Sequence, residues 1–402
     1  MKREEFIKNV ALLGLSAPFM NWILTSCEKD DIFKQDFEVN FSGKVLIVGS
    51  GAAGLIAGHL LKQYGIDFEI IEANPVYGGR IKGLYNFADF PIDLGAEWIH
   101  TDPSILSKLI NDDSVNVDMD IIKYRPETIY LYDDGKLKKR NMYSNFYGEN
   151  KFKNSGWFDF FDQYIYPSVS DKITLNSPVN QIDYSGDQVI VTNENGDEFT
   201  GDRVIVTVPI KILQNQSINF IPAFDSGRQE AIDKVDMPDG LKVFIEFSEK
   251  FYPDILNMGS LVDFSDDSSG ERIYYNAAFR KDTIHHVFAL FSVGEASSQY
   301  TSLGSDDAII EKVMAELDEI FDGKATQTYI QHRVQNWSAE PYIQGSYSHY
   351  GNDYSSIIET ISSSINGKVF FAGEAMTSEN WSTVHGAGET SFAVVEEILK
   401  NA

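Results

Sequence analysis

The chain is poor in cysteine, in basic residues and in long apolar runs, and each shortage excludes something. A single cysteine, Cys27, among 402 residues rules out an intramolecular disulfide. Lysine and arginine number 33 against 60 aspartates and glutamates, and the net charge of −27 repels a polyanion, so no nucleic-acid partner is expected. The same field favours cationic ligands, although an acidic surface also serves solubility alone. The seven histidines are scattered, and the adjacent His285-His286 has no Cys or carboxylate at ligand spacing, so no metal site is expected. There is no internal repeat and no low-complexity tract. What is present is a core-forming composition, 43% apolar and 13% aromatic, which excludes a disordered or fibrous chain. The length suggests two or three folding units with room for a cleft between them.

The first 27 residues have the layout of a signal peptide. Lys2, Arg3 and Lys8 precede a mostly apolar run of 15 residues, Val10 to Leu24, shorter than the about 20 that a membrane-spanning helix needs. A buried N-terminal helix is the alternative. Leu24-Thr25-Ser26-Cys27 resembles the lipobox of bacterial lipoproteins, which implies export, cleavage and a lipid anchor at Cys27 in a bacterial envelope, with no other membrane contact. Cys27-Glu28-Lys29-Asp30-Asp31 is similar to a short tag that directs some lipoproteins to the cell surface. Arg3-Glu4-Glu5-Phe6-Ile7-Lys8 resembles a twin-arginine motif with its second Arg replaced. Residues 28–43 read as a polar linker.

Beyond the linker, Lys44 to Val48 has a buried-strand pattern and runs into Gly49-Ser50-Gly51-Ala52-Ala53-Gly54, followed by an apolar helical stretch. Three glycines close together are a weak signal alone. Context strengthens it: a second strand pattern, Asp67 to Ile71, ends in Glu72, near the spacing at which an acid reaches a ribose hydroxyl. Gly49 then permits the tight turn, Gly51 lets backbone approach a pyrophosphate, and Gly54 lets the helix pack on the strand.

Glu72-Ala73-Asn74-Pro75-Val76-Tyr77-Gly78-Gly79-Arg80 resembles the FAD-binding flavoproteins, in which a second glycine pair and an Arg lie along the diphosphate. Further blocks follow: Asp93-Leu94-Gly95-Ala96-Glu97-Trp98-Ile99-His100, Asp202 to Pro209, Asn336-Trp337, Gly345-Ser346-Tyr347-Ser348, Phe371-Ala372-Gly373-Glu374 and Ser382-Thr383-Val384-His385-Gly386-Ala387. In order and spacing they resemble the flavin amine oxidases over most of residues 44–400. The blocks at Trp98 and Trp381 are most similar to polyamine oxidases and the related histone demethylases. The resemblance implies an α/β fold. An FAD-binding Rossmann-like domain of glutathione-reductase type, from 44–100, 172–238 and 362–402, is interleaved with an α+β substrate domain carrying a mixed sheet, from 101–171 and 239–361. The stretch from His100 to Val179 is shorter than in typical members, so part of a helical substrate domain is missing. Local patterns predict a buried strand at Val204–Val206, a half-buried alternating strand at Val243–Phe247 and a helix from Ala308 to Phe321.

Contacts to FAD are implied for Gly49, Gly51, Ala53, Gly54, Glu72, Ala73, Gly79, Arg80, Gly95, Ala96, Glu97, Trp98, Val179, Val208, Trp337, Gly373, Glu374, Thr383 and Val384. Hydride transfer to flavin needs no acid-base triad, only an amine held neutral and oriented. Tyr347 matches the aromatic that flanks the flavin face, and Trp337 shares its motif. Thr383 or Val384 takes the second cage position. Lys242 matches the lysine that holds a water against the flavin and favours electron transfer to oxygen; a solvated lysine at a strand edge is the alternative. His100 matches a histidine near the substrate amine, with a structural histidine as alternative, and His385 reads as structural. Ser346 stands where some members carry a flavin-linking Cys, so FAD is expected to be non-covalent. The implied activity is oxidation of a small-molecule amine of polyamine type, with O2 as acceptor. An L-amino acid oxidase, which would need a cation where Trp98 stands, and a surface flavoprotein that binds without turnover are the other readings. The acidic loop with Asp263, Asp266 and Asp267 reads as solvated, or as a lure for polyamines.

Overall fold

The computed structural model describes residues 37–140, 149–259, 271–351 and 354–401. The expected leader with Cys27, most of the linker and the loop carrying Asp263, Asp266 and Asp267 lie outside the described residues.

Continuous apolar runs make strands that are buried on both faces, and such strands assemble in parallel. Lys44–Val48, Asp67–Ile71, Ile173–Thr174, Arg203–Val206 and Val369–Phe371 form a five-stranded sheet in which every pairing is parallel, with Lys44–Val48 in the middle. Helix Ala52–Gln63 crosses one face and packs against helix Val384–Lys400. The other face meets a four-stranded sheet, Val179–Asp183, Val189–Asn193, Glu198–Gly201 and Asn219–Ile221. The fold is therefore α/β with a Rossmann-like core.

A seven-stranded mixed sheet lies beside this core and contains Ile129–Asp133, Lys136–Arg140, Gly240–Phe247, Ile255–Met258, Glu271–Asn276, His286–Val293 and Tyr329–Asn336. Strand Gly240–Phe247 sits between two partners, and all eight of its residues are buried. That corrects the expectation of a half-buried strand. Leu241, Val243, Ile245 and Phe247 pack under helices Glu295–Thr301 and Asp306–Ile320, while Phe244 faces Phe87, Phe90 and Leu94. Both faces are covered, so Lys242 and Glu246 are buried polar residues, not solvated ones.

The shortened stretch after His100 holds the short helices Ile105–Ile110 and Trp157–Phe160, two strands of the seven-stranded sheet and part of a further small sheet. Trp98–Ile99 and Ile121–Tyr124 pair on either side of Glu149–Phe152, with Trp98 opposite Lys151. Trp157, Phe160, Phe161 and Val169 join the core of helix Ala52–Gln63. The end of the expected linker is also docked: Asn40 and Phe41 both donate to the Leu399 carbonyl oxygen, and Phe41 is buried.

Candidate functional site

Ligands of parallel α/β sheets bind beyond the carboxyl ends of the strands. Gly49, Glu72, Thr207-Val208 and Gly373 each follow such an end here. Gly49 has φ of +104°, a conformation that favours glycine, and a Cβ on Gly54 would lie 2.0 Å from the Gly49 carbonyl oxygen. Gly51 is different: nothing lies within 4 Å of the position a Cβ would take, and the same holds at Gly373. Helix Ala52–Gln63 starts at Gly51 with no side-chain cap and no acid in its first turn, so its first amides and positive dipole end are available to an anion. Gly78 donates to the Ser50 carbonyl oxygen, and a Cβ on Gly79 would come within 3.3 Å of Gly51 Cα, which seats the second glycine pair on the first loop. These open, glycine-lined positions at an uncapped helix start fit a dinucleotide diphosphate.

Around this cradle, Ala53 is buried and its carbonyl oxygen accepts from Ser391 Oγ. Ala73, Val179 and Val208 are half-buried. Ser177 donates its amide to the Glu72 carbonyl oxygen, which brings Val179 near the end of strand Asp67–Ile71. Glu72 is buried and its carboxylate already accepts four bonds: from the amide and hydroxyl of Ser50 at 2.7 Å each, and from the amide and side chain of Asn74 at 2.8 and 3.0 Å. A ribose hydroxyl reaches it only if Ser50 or Asn74 yields.

A second group of residues forms a hub on Glu374, also buried. Its carboxylate accepts from Arg80 Nη1 at 2.9 Å, from the Ser348 hydroxyl at 2.6 Å and from the Ser382 amide at 3.1 Å. Arg80 Nη1 also donates to the Ser346 carbonyl oxygen at 3.0 Å. Ser346 and Ser348 are buried on either side of the half-buried Tyr347. A Cβ on Gly240 would lie 2.5 Å from Ser346 Cβ, so glycine there lets the Tyr347 segment approach the start of the Lys242 strand. Gly95 has the same character, since its Cβ would meet the Arg80 carbonyl oxygen at 1.9 Å and Trp337 at 2.9 Å. Ala96 donates to the Arg80 carbonyl oxygen, and Trp337 Nε1 donates to that of Leu94.

The Lys242 ammonium directs its three N–H bonds to the carbonyl oxygens of Asp93 (3.0 Å) and Gly95 (2.9 Å) and to Glu97 Oε2 (2.7 Å). Holding a water requires one of those bonds to be released. Glu97 in turn accepts from the Tyr275 hydroxyl and pairs with Lys151 through its other oxygen. Glu97 and Lys151 are 6% and 2% exposed, so this is a fully enclosed network. Burial alone raises the Glu97 carboxyl, but the charges of Lys151 and Lys242 reverse the sign and hold it at about 2. Asp93 is pushed the other way, to about 8, by burial and then by the Glu97 charge. Lys281, which donates to the carbonyl oxygens of Phe152 and Lys153, is lowered to about 8 by burial.

His100 is partly exposed and lies 3.3 Å from Glu149. His385 is buried, and burial followed by the proximity of His100 lowers it to about 3, so it is a neutral packing residue at physiological pH. The Thr383 hydroxyl caps helix Val384–Lys400, accepting from the Gly386 amide and donating to the Asn380 carbonyl oxygen, while Val384 is buried beside it. Sequence reasoning missed Lys151, Tyr275, Asp93 and Lys281. Asp93 opens one of the blocks with no role attached to it, the other three lie outside the blocks, and their link to Glu97 exists only after folding. Among the described residues, no group of three His, Cys, Asp or Glu side chains is arranged to hold a metal.

Comparison with known proteins agrees with this geometry. Residues 161–399 match the family described as flavin containing amine oxidoreductase, and residues 47–112 match an NAD(P)-binding Rossmann-like domain. Human lysine-specific histone demethylase 2 is 25% identical over 429 aligned residues, covering 85% of this chain and 52% of that protein. The chain thus spans about half the length of the mammalian histone demethylases it matches. Polyamine oxidase 3 of Oryza sativa subsp. japonica is 25% identical over 437 residues, 88% of each chain. A putrescine oxidase triple mutant redesigned in cofactor binding superimposes with a TM-score of 0.74 at 14% identity, over 90% of this chain and 99% of that one. The amine oxidoreductase match covers more than half of the residues and contains Ser346, Ser348, Glu374 and Ser382 of the hub, while the cradle and Arg80 fall in the Rossmann-like match: the chain belongs to the flavin containing amine oxidoreductases, with FAD as its cofactor.

Proposed function

We propose that the protein oxidises a small-molecule amine of polyamine type at a C–N bond, giving an imine that hydrolyses, with O2 as acceptor and hydrogen peroxide as product. The observation that supports this most directly is the double contact of Arg80 with Ser346 and Glu374, because it fixes Tyr347 at the rim of the dinucleotide cradle. FAD, when bound, supplies the redox chemistry by accepting a hydride from the carbon beside the amine nitrogen. Gly49, Gly51, Gly54, Gly79 and Arg80 would hold its diphosphate side. The segment Gly95–Trp98, Trp337 and Tyr347 would line its reactive end.

The chain's own task is to bind the amine without its extra proton. An alkylammonium has an ordinary pKa of roughly 10 and no lone pair to drive hydride loss. Aromatic walls exclude water and penalise the charged form. Lys242 places a buried positive charge where it offsets negative charge developing during oxygen reduction. An amino acid substrate would need a cation for its carboxylate, and Lys151 and Lys242 are already engaged with Glu97. Ser346 in place of a linking Cys supports non-covalent FAD. We also propose export with a lipid anchor at Cys27, checked by mass spectrometry of the native N-terminus.

The test uses protein beginning at residue 28. Its visible spectrum is recorded anaerobically while spermine, spermidine, their acetylated forms, monoamines and L-amino acids are added in turn. Rapid bleaching by polyamines is expected. Bleaching by L-amino acids alone, or a bound flavin that nothing reduces, overturns the reading, the latter in favour of a binding protein.

A further inference from the structure

A buried lysine usually has a carboxylate partner, but Lys151 has considerably more. Its ammonium pairs with Glu97 and stands over three aromatic rings: 4.4 Å from the Trp98 centroid, 5.1 Å from Tyr124 and 5.2 Å from Tyr275. Ring faces carry the negative end of the aromatic quadrupole and attract a cation strongly once water is gone. Trp98 and Tyr124 also meet edge to face at 4.9 Å, so the walls brace one another. A carboxylate and three rings around one ammonium make a chemically complete site for an alkylammonium ion, and the occupant here is a side chain delivered by strand Glu149–Phe152.

We propose that Glu97, Trp98, Tyr124 and Tyr275 form an ammonium-binding box whose resident ligand is Lys151, and that this internal cation determines specificity by keeping Glu97 from capturing a substrate ammonium. The second half rests on the amine-oxidase reading. Glu97 neighbours Trp98 and holds Lys242, and an unpaired carboxylate there would bind the amine in its charged, unreactive form. With both oxygens taken by internal cations, Glu97 fixes Lys242 in place and offers nothing to an incoming ammonium. Lys151 is thus a positioning residue that acts through Glu97. The titratable groups surrounding it are Glu97, Lys242, Asp93, Lys281, Tyr124 and Tyr275.

The experiment measures melting of FAD-loaded Lys151→Ala protein with methyl-, ethyl- and propylammonium, and with propanol as a neutral control. The variant should melt below wild type and recover with the logarithm of alkylammonium concentration, with no recovery in propanol and no response in wild type. Absence of recovery, or equal recovery in propanol, overturns the box. Lys151→Met, which keeps the volume and removes the charge, decides the matter if the alanine variant does not fold. A melting temperature equal to wild type overturns the box, and a lower one supports it. For specificity, the loss of the Lys151 positive charge in Lys151→Met should move the acidic limb of the flavin-reduction pH profile up by about one unit, because the amine then loses its proton beside a less compensated Glu97. An unmoved limb overturns this half, while a wild-type flavin that no amine reduces sinks the amine-oxidase reading and leaves the melting arms intact.

Discussion

At the scale of single residues, the buried network around Glu97 dominates both stability and pH response. Removing one partner of a buried ion pair leaves an uncompensated charge, at a cost of about 3–5 kcal/mol. Lys242→Met should therefore lose stability as well as slow flavin reduction or reoxidation, read by stopped-flow absorbance; unchanged rates in both directions would remove Lys242 from the chemistry. Glu97 is held below its ordinary value in the fold, so its contribution is complete above the unfolded pKa and is lost as pH falls from about 4.5 toward 2. Asp93 behaves oppositely. Its raised pKa means that the unfolded chain releases the proton first, so stability falls as pH rises from about 4 to about 8. The Asp93→Asn variant should gain on wild type in melting temperature between pH 5 and pH 8; a difference that does not change with pH would show that Asp93 is ionised. Little of this was legible beforehand. Lys242 and Glu97 were visible as motif residues, but they meet across 145 residues, and Tyr275 reaches Glu97 across 178. The same applies to His285, whose carboxylate partner, Glu246, comes from the neighbouring strand.

At the scale of elements, the loops around the cradle separate space needed by the fold from space left to a ligand. Gly54→Ala drives a Cβ into the Gly49 carbonyl oxygen and should prevent a stable fold, whereas Gly51→Ala meets no protein atom. The apoprotein of Gly51→Ala should therefore melt within a few degrees of wild type yet bind FAD more weakly, as measured by flavin fluorescence titration; unimpaired binding would place the diphosphate elsewhere. Thr383→Ala removes a helix cap, which costs about 1 kcal/mol, and Thr383→Ser should restore it. If the serine variant melts like wild type but reduces its flavin more slowly, Thr383 also touches the substrate. The first βαβ unit was readable because strand, glycine loop, helix and acid follow one another in 30 residues. Strand Gly240–Phe247 was misread because alternation shows polar side chains without showing what covers them. Lys242 and Glu246 alternate with apolar neighbours, and the Phe87–Leu94 region closes over their face.

At the scale of the whole molecule, charge and chain order matter most. A net charge of −27 should draw in polyvalent amines, so kcat/KM for spermine should fall with salt more steeply than for a monoamine. Equal slopes would mean that the surface field plays no part in capture. The family was legible because its blocks are spread along the chain, whereas the small sheet of Trp98–Ile99, Ile121–Tyr124 and Glu149–Phe152 was not, since only its first strand falls in a block. The parallel sheet also gathers strands from near residue 44 to near residue 371, and the Glu374 hub and the capped final helix come after all of them. A ribosome must therefore deliver the chain past Glu374 before the cofactor site is complete. Fragments that end before Val369 should be colourless, and yellow colour in a preparation reports chains translated into their last helix.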